Sequence, residues 1–449
     1  MLNKKTMSII EQMKTLEKES YRSEQKYFKR CNTACKLFAI FWKDRGYMEA
    51  PTSDWSNWDV MWYGSHIKMK VFQGLQPHQK VNHFPRTTEV TRKDRLVRNL
   101  NKMKELHGAQ YDYFPPSWVW PLQEKVFLET HNKLVELDLN NDDKTHKIRW
   151  ISKPINLSRG RGITLHSDKI ELSIQDLCVI QKYLLSFFSL FYIMFCRYID
   201  QPFLLNEFKF DLRLYVIVTS FQPLRIYLYN DGLVRFATEK YSPNVENKDQ
   251  VQMHLTNFSI NRGSQNFVYT DESNTGSKWL FSALLNHLQE QHRDTTKLLE
   301  DIHDLVAKTL IAVEPDVSLG FRNNVPYRWN CFEMFGFDVL LDQNLKPWLL
   351  EVNLSPSMSC TTPMDQKIKT QLMGDFYYLN NTIDPQPRPS QFQSQHEMWV
   401  WELETEATRC RNFTRVFPKP TSGNYLDFFE VPKEENKSMI AYLQNKIKE

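Results

Sequence analysis

The segment from Cys331 to Ser357 constrains the fold of this chain more than any other stretch of its 449 residues. Two apolar runs, 335–341 and 348–354, flank the hexapeptide DQNLKP, whose Asp, Asn and Pro residues favour a turn. Paired apolar runs on either side of a short turn segment are typical of a β-hairpin. The sequence therefore predicts two antiparallel strands here, side by side in one sheet.

The register of this hairpin brings polar side chains together. With Asn344 and Leu345 at the centre of the turn, Asp338 lies directly opposite Glu351. Because side chains alternate faces along a strand, Asn353 joins both carboxylates on one wall. Facing carboxylates repel each other, and hard oxygen ligands of this kind hold Mg²⁺ in ATP sites. A surface hairpin with one polar face is the alternative that this segment alone leaves open.

Composition and length set broader limits. The chain can hold one large domain or two to three ordinary ones, and 41% apolar with 13% aromatic residues indicates a globular protein. A net charge of +4 is small for this size, so an acidic partner would need a local basic patch. Seven cysteines without metal-ligand spacing, and no N-terminal signal, favour a reducing, intracellular compartment.

Several segments outside the hairpin carry their own predictions. Residues 1–80 form a helical and aromatic-rich N-terminal region, with the helix expected over 1–45. The uncharged run Leu184 to Cys196 is shorter than the roughly 20 residues that span a bilayer, so we expect a buried helix there. Pro and Gln in 380–396 are typical of a linker or mobile loop, and the tail, 397–449, is a helical extension.

A second polar wall is predicted on the strand that begins at Phe208. Its charged side chains alternate with apolar ones and share one face. These side chains are Lys209, Asp211 and Arg213. Turns at 221–223 and 230–232 predict a three-stranded antiparallel meander, which would bring Arg235 to the same face. We expect a charged cleft here, and an edge strand facing water is the competing interpretation.

A glycine- and arginine-rich loop, Ser158 to Ile163, follows a predicted strand. Gly160 and Gly162 let the backbone turn tightly and approach a phosphate, and Arg159 and Arg161 supply positive charge beside it. A short glycine pair is also common in ordinary turns, so this loop gains meaning only from its neighbours.

In order, the chain contains WISKP, the Gly/Arg loop, VIQKY, KFDLR, DGLVRFA, HLTNFS, FGFDVLLD and LLEVNLSPS. This series resembles the tubulin tyrosine ligase-like family, amino-acid ligases with an ATP-grasp fold, from about Val81 to Phe429. VNHFP followed by RKDRL, LKPWLLEVNLSPS and FTRVFP are most similar to the polyglutamylases, with glycylases as an alternative. The implied fold class is α+β: an ATP-grasp fold whose antiparallel sheets enclose an ATP cleft, with helical N- and C-terminal additions. Residues 81–150 would be the N-terminal part of the ligase region, and 151–379 the ATP-grasp core.

The resemblance implies a role for each polar residue. Residues implied to contact ATP are Lys153, Arg159, Gly160, Arg161, Gly162, Gln181, Lys182, Tyr183, Lys209 and Asp211. Those implied to hold Mg²⁺ are Asp338, Glu351 and Asn353. Those implied to bind the substrates are Arg213, Arg235 and Asn257. Those implied to be catalytic are Asp211, Arg213 and Arg235. His254 is expected to be structural.

The implied reaction is the ATP-dependent addition of glutamate to glutamate side chains in acidic tubulin tails. The γ-carboxylate of a tail glutamate attacks the γ-phosphate to give an acyl-phosphate, and the amine of free L-glutamate then displaces phosphate. The implied partners are tubulin or microtubules and L-glutamate, with neither nucleic acid nor membrane, for a monomeric protein of the cytoplasm, the microtubule cytoskeleton and the cilium or basal body. Basic residues in 86–98 are candidates for contacting the acidic tail.

Residues 184–198 interrupt the family's pattern. There the VIQKY strand is followed almost at once by YIDQPFLL, whereas here Leu184 to Tyr198 separate Tyr183 from Ile199. The predicted insertion falls beside the adenine-binding residues. A catalytically impaired, microtubule-binding member of the family is therefore the second hypothesis.

Overall fold

Three β-sheets form the framework of the computed structural model, which describes residues 25–33, 35–140, 150–157, 160–166, 193–242, 249–270, 272–431 and 433–448. The strands are β1 Tyr27–Cys31, β2 Met48–Glu49, β3 Val60–Tyr63, β4 Lys80–Val81, β5 Ser117–Trp120, β6 Trp150–Pro154, β7 Thr164–His166, β8 Ile193–Arg197, β9 Leu204–Leu205, β10 Phe208–Phe221, β11 Leu224–Lys240, β12 Lys278–Leu280, β13 Glu333–Leu341, β14 Pro347–Leu354 and β15 Phe413–Phe417. The α-helices are Lys36–Lys43, Met69–Gln73, Thr88–Thr91, Lys93–His107, Glu124–Asn140, Val251–His254, Phe258–Asn261, Phe281–Glu290, Thr295–Ile311, Glu314–Asn324, Pro363–Leu379, Gln395–Arg409 and Glu434–Lys448.

The central sheet is antiparallel and has the order β12-β11-β10-β13-β14, with β9 beside β10 and β15 beside β11. One face of β10 buries Leu212 and Leu214 against helices that include Thr295–Ile311. The opposite face buries Tyr215 and Ile217 against the helix Pro363–Leu379. Lys209 and Asp211, at the start of β10, line a cleft beyond the apolar core, and Arg213 contacts Asp338 in the wall of that cleft.

The predicted hairpin is present as β13 and β14. Asp338 pairs with Glu351, as the sequence predicts. The register then shifts by one residue, so that Val339 pairs with Leu349 nearer the turn. The Asp342 carboxylate stabilises the turn by accepting hydrogen bonds from two of its backbone amides, at 2.9 and 3.0 Å. The bulge thus lies on the turn side of the polar pair.

The predicted three-stranded meander is wrong, because β11 continues through 230–232 without a turn. Tyr215 of β10 faces three residues of β11 at this point, which is a β-bulge. Asp231 stabilises the bulge because its carboxylate accepts hydrogen bonds from the Ser282 amide and hydroxyl, both at 3.0 Å. A polar triplet that resembles a turn in sequence is therefore absorbed within a long strand, and Arg235 still reaches the charged face.

The smaller antiparallel sheet has the order β5-β8-β6-β7 and corrects a second prediction. The run Leu184 to Cys196 was expected to form a buried helix, but β8 occupies its end, between β5 and β6. Met194 and Phe195 on β8 are both buried, at 2% and 0% exposure. A short apolar run can be a strand buried on both faces as readily as a helix, and periodicity does not separate the two. Residues 184–192 lie outside the described part.

The N-terminal sheet is parallel, with the order β2-β1-β3-β4. The helix predicted over 1–45 is wrong for β1, and the described helix begins at Lys36. Phe38 and Trp42 on that helix contact the ring of Tyr377, with centroid distances of 6.1 and 4.8 Å. Pairing with β3 and this aromatic packing, both of which are long-range, outweigh the local helical pattern. Residues 1–24 lie outside the described part.

The structure also contains helices at Lys93–His107, Glu124–Asn140 and Pro363–Leu379. In the segment 380–396, predicted as a linker or mobile loop, residues 380–394 contain neither helix nor strand, and the helix Gln395–Arg409 includes the last two residues. Among the described helices, none combines the length and the apolar character needed to cross a membrane.

Candidate active site

A cleft lies between the small sheet and the central sheet. The small sheet contributes Ile151, Lys153, Cys196 and Arg197 to its wall. The central sheet contributes Lys209, Asp211, Asp338, Leu340, Leu350 and Glu351. Lys93, the segment 254–257 and residues of the glycine loop also line the cleft. The cleft therefore combines an apolar region, a group of lysines and a group of carboxylates.

Lys153 and Lys209 are both buried in this cleft, at 8% and 6% exposure. The Lys209 ammonium donates a hydrogen bond to the Tyr198 hydroxyl at 3.0 Å, and that hydroxyl lies 3.0 Å from His254 Nδ1. Burial lowers the pKa of Lys209 to about 7, with Asp211 opposing and Lys153 adding to the effect. Close, desolvated lysines repel each other, and a polyanion in the cleft would relieve this repulsion.

Lys93 is a cleft residue that the sequence analysis did not single out. Its ammonium donates to the Leu157 carbonyl at 3.0 Å and lies 4.0 Å from Glu351 Oε2. Burial lowers the pKa of Lys93, while Glu351 raises it and Lys153 lowers it further. The RKDRL motif contained the signal, but the sequence of this basic run does not show which of its basic residues faces the cleft.

Two aspartates and two arginines form a buried network on the charged face. Arg213 Nε and Nη2 donate to Asp338 Oδ1 and Oδ2 at 2.6 and 3.0 Å. Arg235 Nη2 lies 2.9 Å from Asp338 Oδ2, and Arg235 Nε donates to Asp211 Oδ1 at 2.8 Å. Register explains the arrangement, because Asp211 pairs with Arg235 across β10 and β11, and Arg213 with Asp338 across β10 and β13.

This network fixes the charge state of its members. Burial raises the pKa of Asp338, but Arg213 and Arg235 together hold it well below its ordinary value. Asp211 and Asp338 raise the pKa of Arg235 against the opposing effect of burial. A guanidinium carries five N–H donors, and the two hydrogen bonds recorded for Arg213 in the described region use two of them. The remaining donors suit an anionic substrate.

The predicted metal ligands share one face of the hairpin. Asp338 and Glu351 are paired residues, and Asn353 is two positions further along β14. Within the part of the chain that the structure describes, no group of three or more His, Cys, Asp and Glu side chains could hold a metal ion. The predicted set of Asp338, Glu351 and Asn353 is not such a group, because its third ligand is an amide oxygen. Whether it fits Mg²⁺ depends on the oxygen atoms of these three side chains.

These donors fit Mg²⁺. Asp338 Oδ1 accepts one recorded hydrogen bond, from Arg213, and each carboxylate oxygen offers about two lone-pair sites. Asn353 donates through Nδ2 to the Gly336 carbonyl at 3.3 Å, which directs its amide oxygen elsewhere. The Glu351 side chain is 27% exposed and has Lys93 as its recorded ion-pair partner. Carboxylate and amide oxygens, with water and phosphate, are the ligands that Mg²⁺ prefers.

The glycine loop lies at the opposite wall. Gly160 and Gly162 adopt φ values of +76° and +68°, in the left-handed region that favours glycine. A Cβ atom on Gly160 would clash with the Ile260 side chain and lie 3.1 Å from Asn257 Oδ1. The loop therefore packs tightly against the segment that carries Asn257, and Gly160, Arg161 and Asn257 all line the cleft. Arg159 lies outside the described residues.

The predicted adenine-binding residues, Gln181, Lys182 and Tyr183, also lie outside the described residues. Residues 196–199, at and after the end of β8, line the cleft. The sequence contained a signal for this segment in its repeated tyrosine. Tyr183 stands directly before the predicted insertion, and Tyr198, its last residue, stands directly before Ile199.

Two antiparallel sheets around a lysine-lined cleft define a mixed α and β fold of the ATP-grasp-like kind, which confirms the predicted fold class. The model of the tubulin-tyrosine ligase family matches residues 72–186 and 191–390. The chain therefore belongs to the tubulin-tyrosine ligase family, as the motifs predict. The match breaks between residues 186 and 191, within the predicted insertion 184–198.

Relatives with assigned activities support this membership. Human tubulin polyglutamylase TTLL5 is 38% identical over 369 residues, which cover 81% of this chain and 27% of that protein. Tubulin polyglutamylase ttll6 of Danio rerio is 33% identical over 430 residues, 89% of this chain and 51% of that protein. Mus musculus tubulin monoglutamylase TTLL4 is 33% identical over 441 residues, 85% of this chain and 35% of that protein. The chain thus spans between 27% and 51% of the length of these relatives.

Proposed function

We propose that this chain is a tubulin polyglutamylase, which joins free L-glutamate through an isopeptide bond to glutamate side chains in tubulin C-terminal tails. The observation that carries the proposal is the cleft, where buried lysines face a carboxylate wall next to a fixed Arg213. The names of the similar proteins, polyglutamylases and a monoglutamylase, favour glutamate over glycine as the added amino acid. The proposed site of action is the microtubule cytoskeleton of the cytoplasm, including the cilium or basal body.

The proposed roles divide the cleft into three regions. Lys153, Lys209 and Lys93 bind the phosphates of ATP, with the 160–162 loop above them, because burial disfavours the charged forms of Lys209 and Lys93 and bound phosphate would favour them. Glu351, Asn353 and Asp338 hold Mg²⁺. Asp211, Arg213, Arg235 and Asn257 line the side where the acceptor glutamate and free glutamate bind.

When bound, ATP would supply the phosphoryl group that activates the tail carboxylate, and Mg²⁺ held by Glu351, Asn353 and Asp338 would offset the negative charge of the phosphates. The chain's own residues position the substrates and stabilise the negative charge that develops during the reaction. Arg213, which Asp338 holds in place, presents its remaining N–H donors to the negative charge that develops on the acyl group. Asp211 and Asp338 fix Arg235, so these cations need little reorganisation during the reaction. No protein nucleophile is required.

The backbone and apolar walls of 196–199, Leu340 and Leu350 are proposed to hold the adenine ring. In this interpretation residues 196–198, at the end of the predicted insertion, contact the adenine ring. The resemblance assigns that role to 181–183. Nucleotide binding therefore survives the insertion, because β8 keeps its pairing with both neighbours.

Deleting 184–198 tests this exchange. The deletion joins Tyr183 to Ile199 and restores a Tyr-Ile sequence directly after the VIQKY motif, so we expect a folded protein that binds ADP with comparable affinity. Phe195→Asp in the full chain should unfold the small sheet, because Phe195 is fully buried on its central strand. Circular dichroism compares the folding of the two variants, and titration with a fluorescent ADP analogue compares their nucleotide affinity. An unfolded deletion variant, or a Phe195→Asp variant that binds ADP normally, contradicts the assignment.

Nucleotide affinity should fall as the pH rises above about 7. The pKa of Lys209 is about 7 without bound anion, and nearby phosphates favour its charged form, so nucleotide binding takes up a proton. Each unit of pH above this value then weakens binding by up to about tenfold. Lys209→Arg keeps its charge and should flatten the profile. Equal slopes in both proteins between pH 7 and 9 would show that another group controls binding.

The direct test of the function is transfer of labelled glutamate to purified microtubules in the presence of ATP and Mg²⁺. We expect ATP-dependent incorporation by the chain and a control rate with labelled glycine near background. Incorporation of glycine instead of glutamate, or no incorporation while microtubule binding persists, would contradict the proposal and favour a glycylase or a binding protein, respectively.

A further inference from the structure

A buried histidine, His83, contacts the end of the hairpin that carries the proposed metal ligands. Its side chain is 2% exposed and lies outside the described cleft lining. Its Nε2 atom lies 2.8 Å from the carbonyl oxygen of Tyr63, the last residue of β3. The same atom lies 3.2 Å from Oγ of Ser355, the residue that follows β14. His83 therefore connects the N-terminal sheet to the end of the hairpin.

The partners of His83 show which ring nitrogen carries a hydrogen. A carbonyl oxygen can only accept, so the contact with Tyr63 requires an N–H group at Nε2. The other ring nitrogen, Nδ1, lies 2.7 Å from Oε1 of the fully buried Glu333. Two acceptors at this distance would repel each other, so one proton lies between Nδ1 and Oε1. Glu333 Oε2 accepts a hydrogen bond from the Phe84 amide at 2.9 Å, so Glu333 holds the His83 ring with Nε2 as the donor.

Ser355 has an unusual backbone conformation. Its φ value is +45°, in the left-handed region that side chains disfavour, so its surroundings must hold it there. The Ser355 hydroxyl donates its hydrogen to the Tyr63 carbonyl at 3.1 Å, which leaves Oγ to accept from His83 Nε2. These two hydrogen bonds anchor the left-handed residue to β3.

The turn at Ser355 lies next to the proposed metal site. Asn353, two residues earlier on β14, pairs with Gly336 on β13. Pro356, directly after Ser355, packs over the same glycine, because a Cβ atom on Gly336 would lie 3.0 Å from Pro356 Cβ. That Cβ atom would also lie 3.2 Å from Arg213 Cδ. The conformation of Ser355 thus decides how the chain leaves β14, beside Asn353 and Arg213.

We propose that His83 is a positioning residue of the active site, which holds Ser355 in its left-handed conformation and thereby fixes Asn353 for Mg²⁺ binding. The inference rests on the proposed function, in which Asn353 is a metal ligand. Asp338 holds Arg213 through two hydrogen bonds of its own, so loss of His83 should affect Mg²⁺ binding more than the position of Arg213. Residues that hold metal ligands in place commonly change metal affinity tenfold or more.

Binding of a fluorescent ADP analogue, titrated with Mg²⁺, tests this role without depending on turnover. His83→Phe keeps a ring but removes both hydrogen-bonding nitrogens. We expect the Mg²⁺ concentration for half-maximal analogue binding to rise about tenfold, while saturating Mg²⁺ restores most of the glutamate transfer rate. His303→Phe is the matched control, because His303 contacts Lys419 and lies outside the described cleft lining. This control should leave the Mg²⁺ requirement unchanged.

Two substitutions at Ser355 test the same mechanism in a chain that keeps His83. Ser355→Ala removes the hydroxyl but keeps the Cβ atom, so we expect the Mg²⁺ requirement to rise about tenfold here too. Ser355→Gly should require less Mg²⁺ than Ser355→Ala, because glycine adopts the left-handed conformation without strain. Adding His83→Phe to Ser355→Ala should change the requirement little, because both substitutions remove the same anchor of the turn.

Three results would overturn the positioning role. They are an unchanged Mg²⁺ requirement in Ser355→Ala, a Ser355→Gly variant that requires at least as much Mg²⁺ as Ser355→Ala, and additive effects in the double variant. If His83→Phe does not fold, the two single Ser355 variants decide. Glu351→Gln separates this failure from failure of the proposed function. Loss of Mg²⁺ dependence in Glu351→Gln, with an unchanged requirement in Ser355→Ala, would overturn only the role of His83. Analogue binding that ignores Mg²⁺ in the unchanged chain would overturn the metal site and this inference together.

Discussion

Glu351→Gln should lower the rate of glutamate transfer by about a thousandfold or more. Two of the three proposed metal ligands are carboxylates. Arg213 and Arg235 both bind the Asp338 carboxylate, whereas the ion-pair partner of Glu351 among the described residues is Lys93. Glutamine keeps the shape of the side chain but removes the negative charge that attracts Mg²⁺. Single-turnover incorporation of labelled glutamate into microtubules measures the effect.

A second readout separates metal binding from a general loss of structure. Affinity for an ADP analogue should depend on Mg²⁺ in the unchanged chain and become insensitive to Mg²⁺ in the Glu351→Gln variant. Glu430→Gln is the matched control, because Glu430 is exposed and pairs with Lys102 away from the cleft lining. A Glu351→Gln variant with normal transfer, or with an unchanged Mg²⁺ dependence, would rule out the metal role of this residue.

Asp338→Asn should lower the free energy of unfolding by about 3–5 kcal/mol, the usual effect of removing one partner from a buried ion pair. The substitution leaves the buried guanidiniums of Arg213 and Arg235 with one carboxylate, Asp211, instead of two. Urea denaturation monitored by tryptophan fluorescence measures the change. Asp316→Asn, at an exposed ion pair with Arg86, should cost less than about 1 kcal/mol.

The pH dependence of this difference follows from the pKa of Asp338. Its pKa is lower in the folded chain than in the unfolded chain, so its stabilising contribution is complete above the ordinary carboxyl range. The difference between the two proteins should therefore be constant from neutral pH down to about 4 and shrink below it. A difference that grows on acidification would contradict the ion-pair account.

The polar faces of the strands were predictable because strand periodicity fixes which side chains lie together. The opposition of Asp338 and Glu351 followed from one assumption about a turn, and the structure contains that pair. Lys209 and Asp211 both line the cleft for the same reason, and Arg213 contacts Asp338 in its wall. The sequence therefore predicts well which side chains share one face of a strand, because that depends only on their alternation along the chain.

Long-range pairing explains what the sequence did not predict. The triplet 230–232 has the composition of a turn, but contacts from Ser282 hold it as a bulge within β11. The apolar run ending at Cys196 is a strand because β5 and β6 lie on both sides of it. The sequence does not distinguish Lys93 from its basic neighbours. Lys93 lies in the cleft because its helix packs beside Leu157 and Glu351. None of these partners is near in sequence.

Mass spectrometry of tubulin tails after incubation with this chain, ATP, Mg²⁺ and glutamate tests the central claim most directly. The account predicts ATP-dependent mass increments of one or more glutamate residues, located by fragmentation on glutamate side chains of the tail and lost in the Glu351→Gln variant. Unmodified tails under conditions in which the folded chain binds ADP, or increments located at the tail's terminal carboxylate, would contradict it.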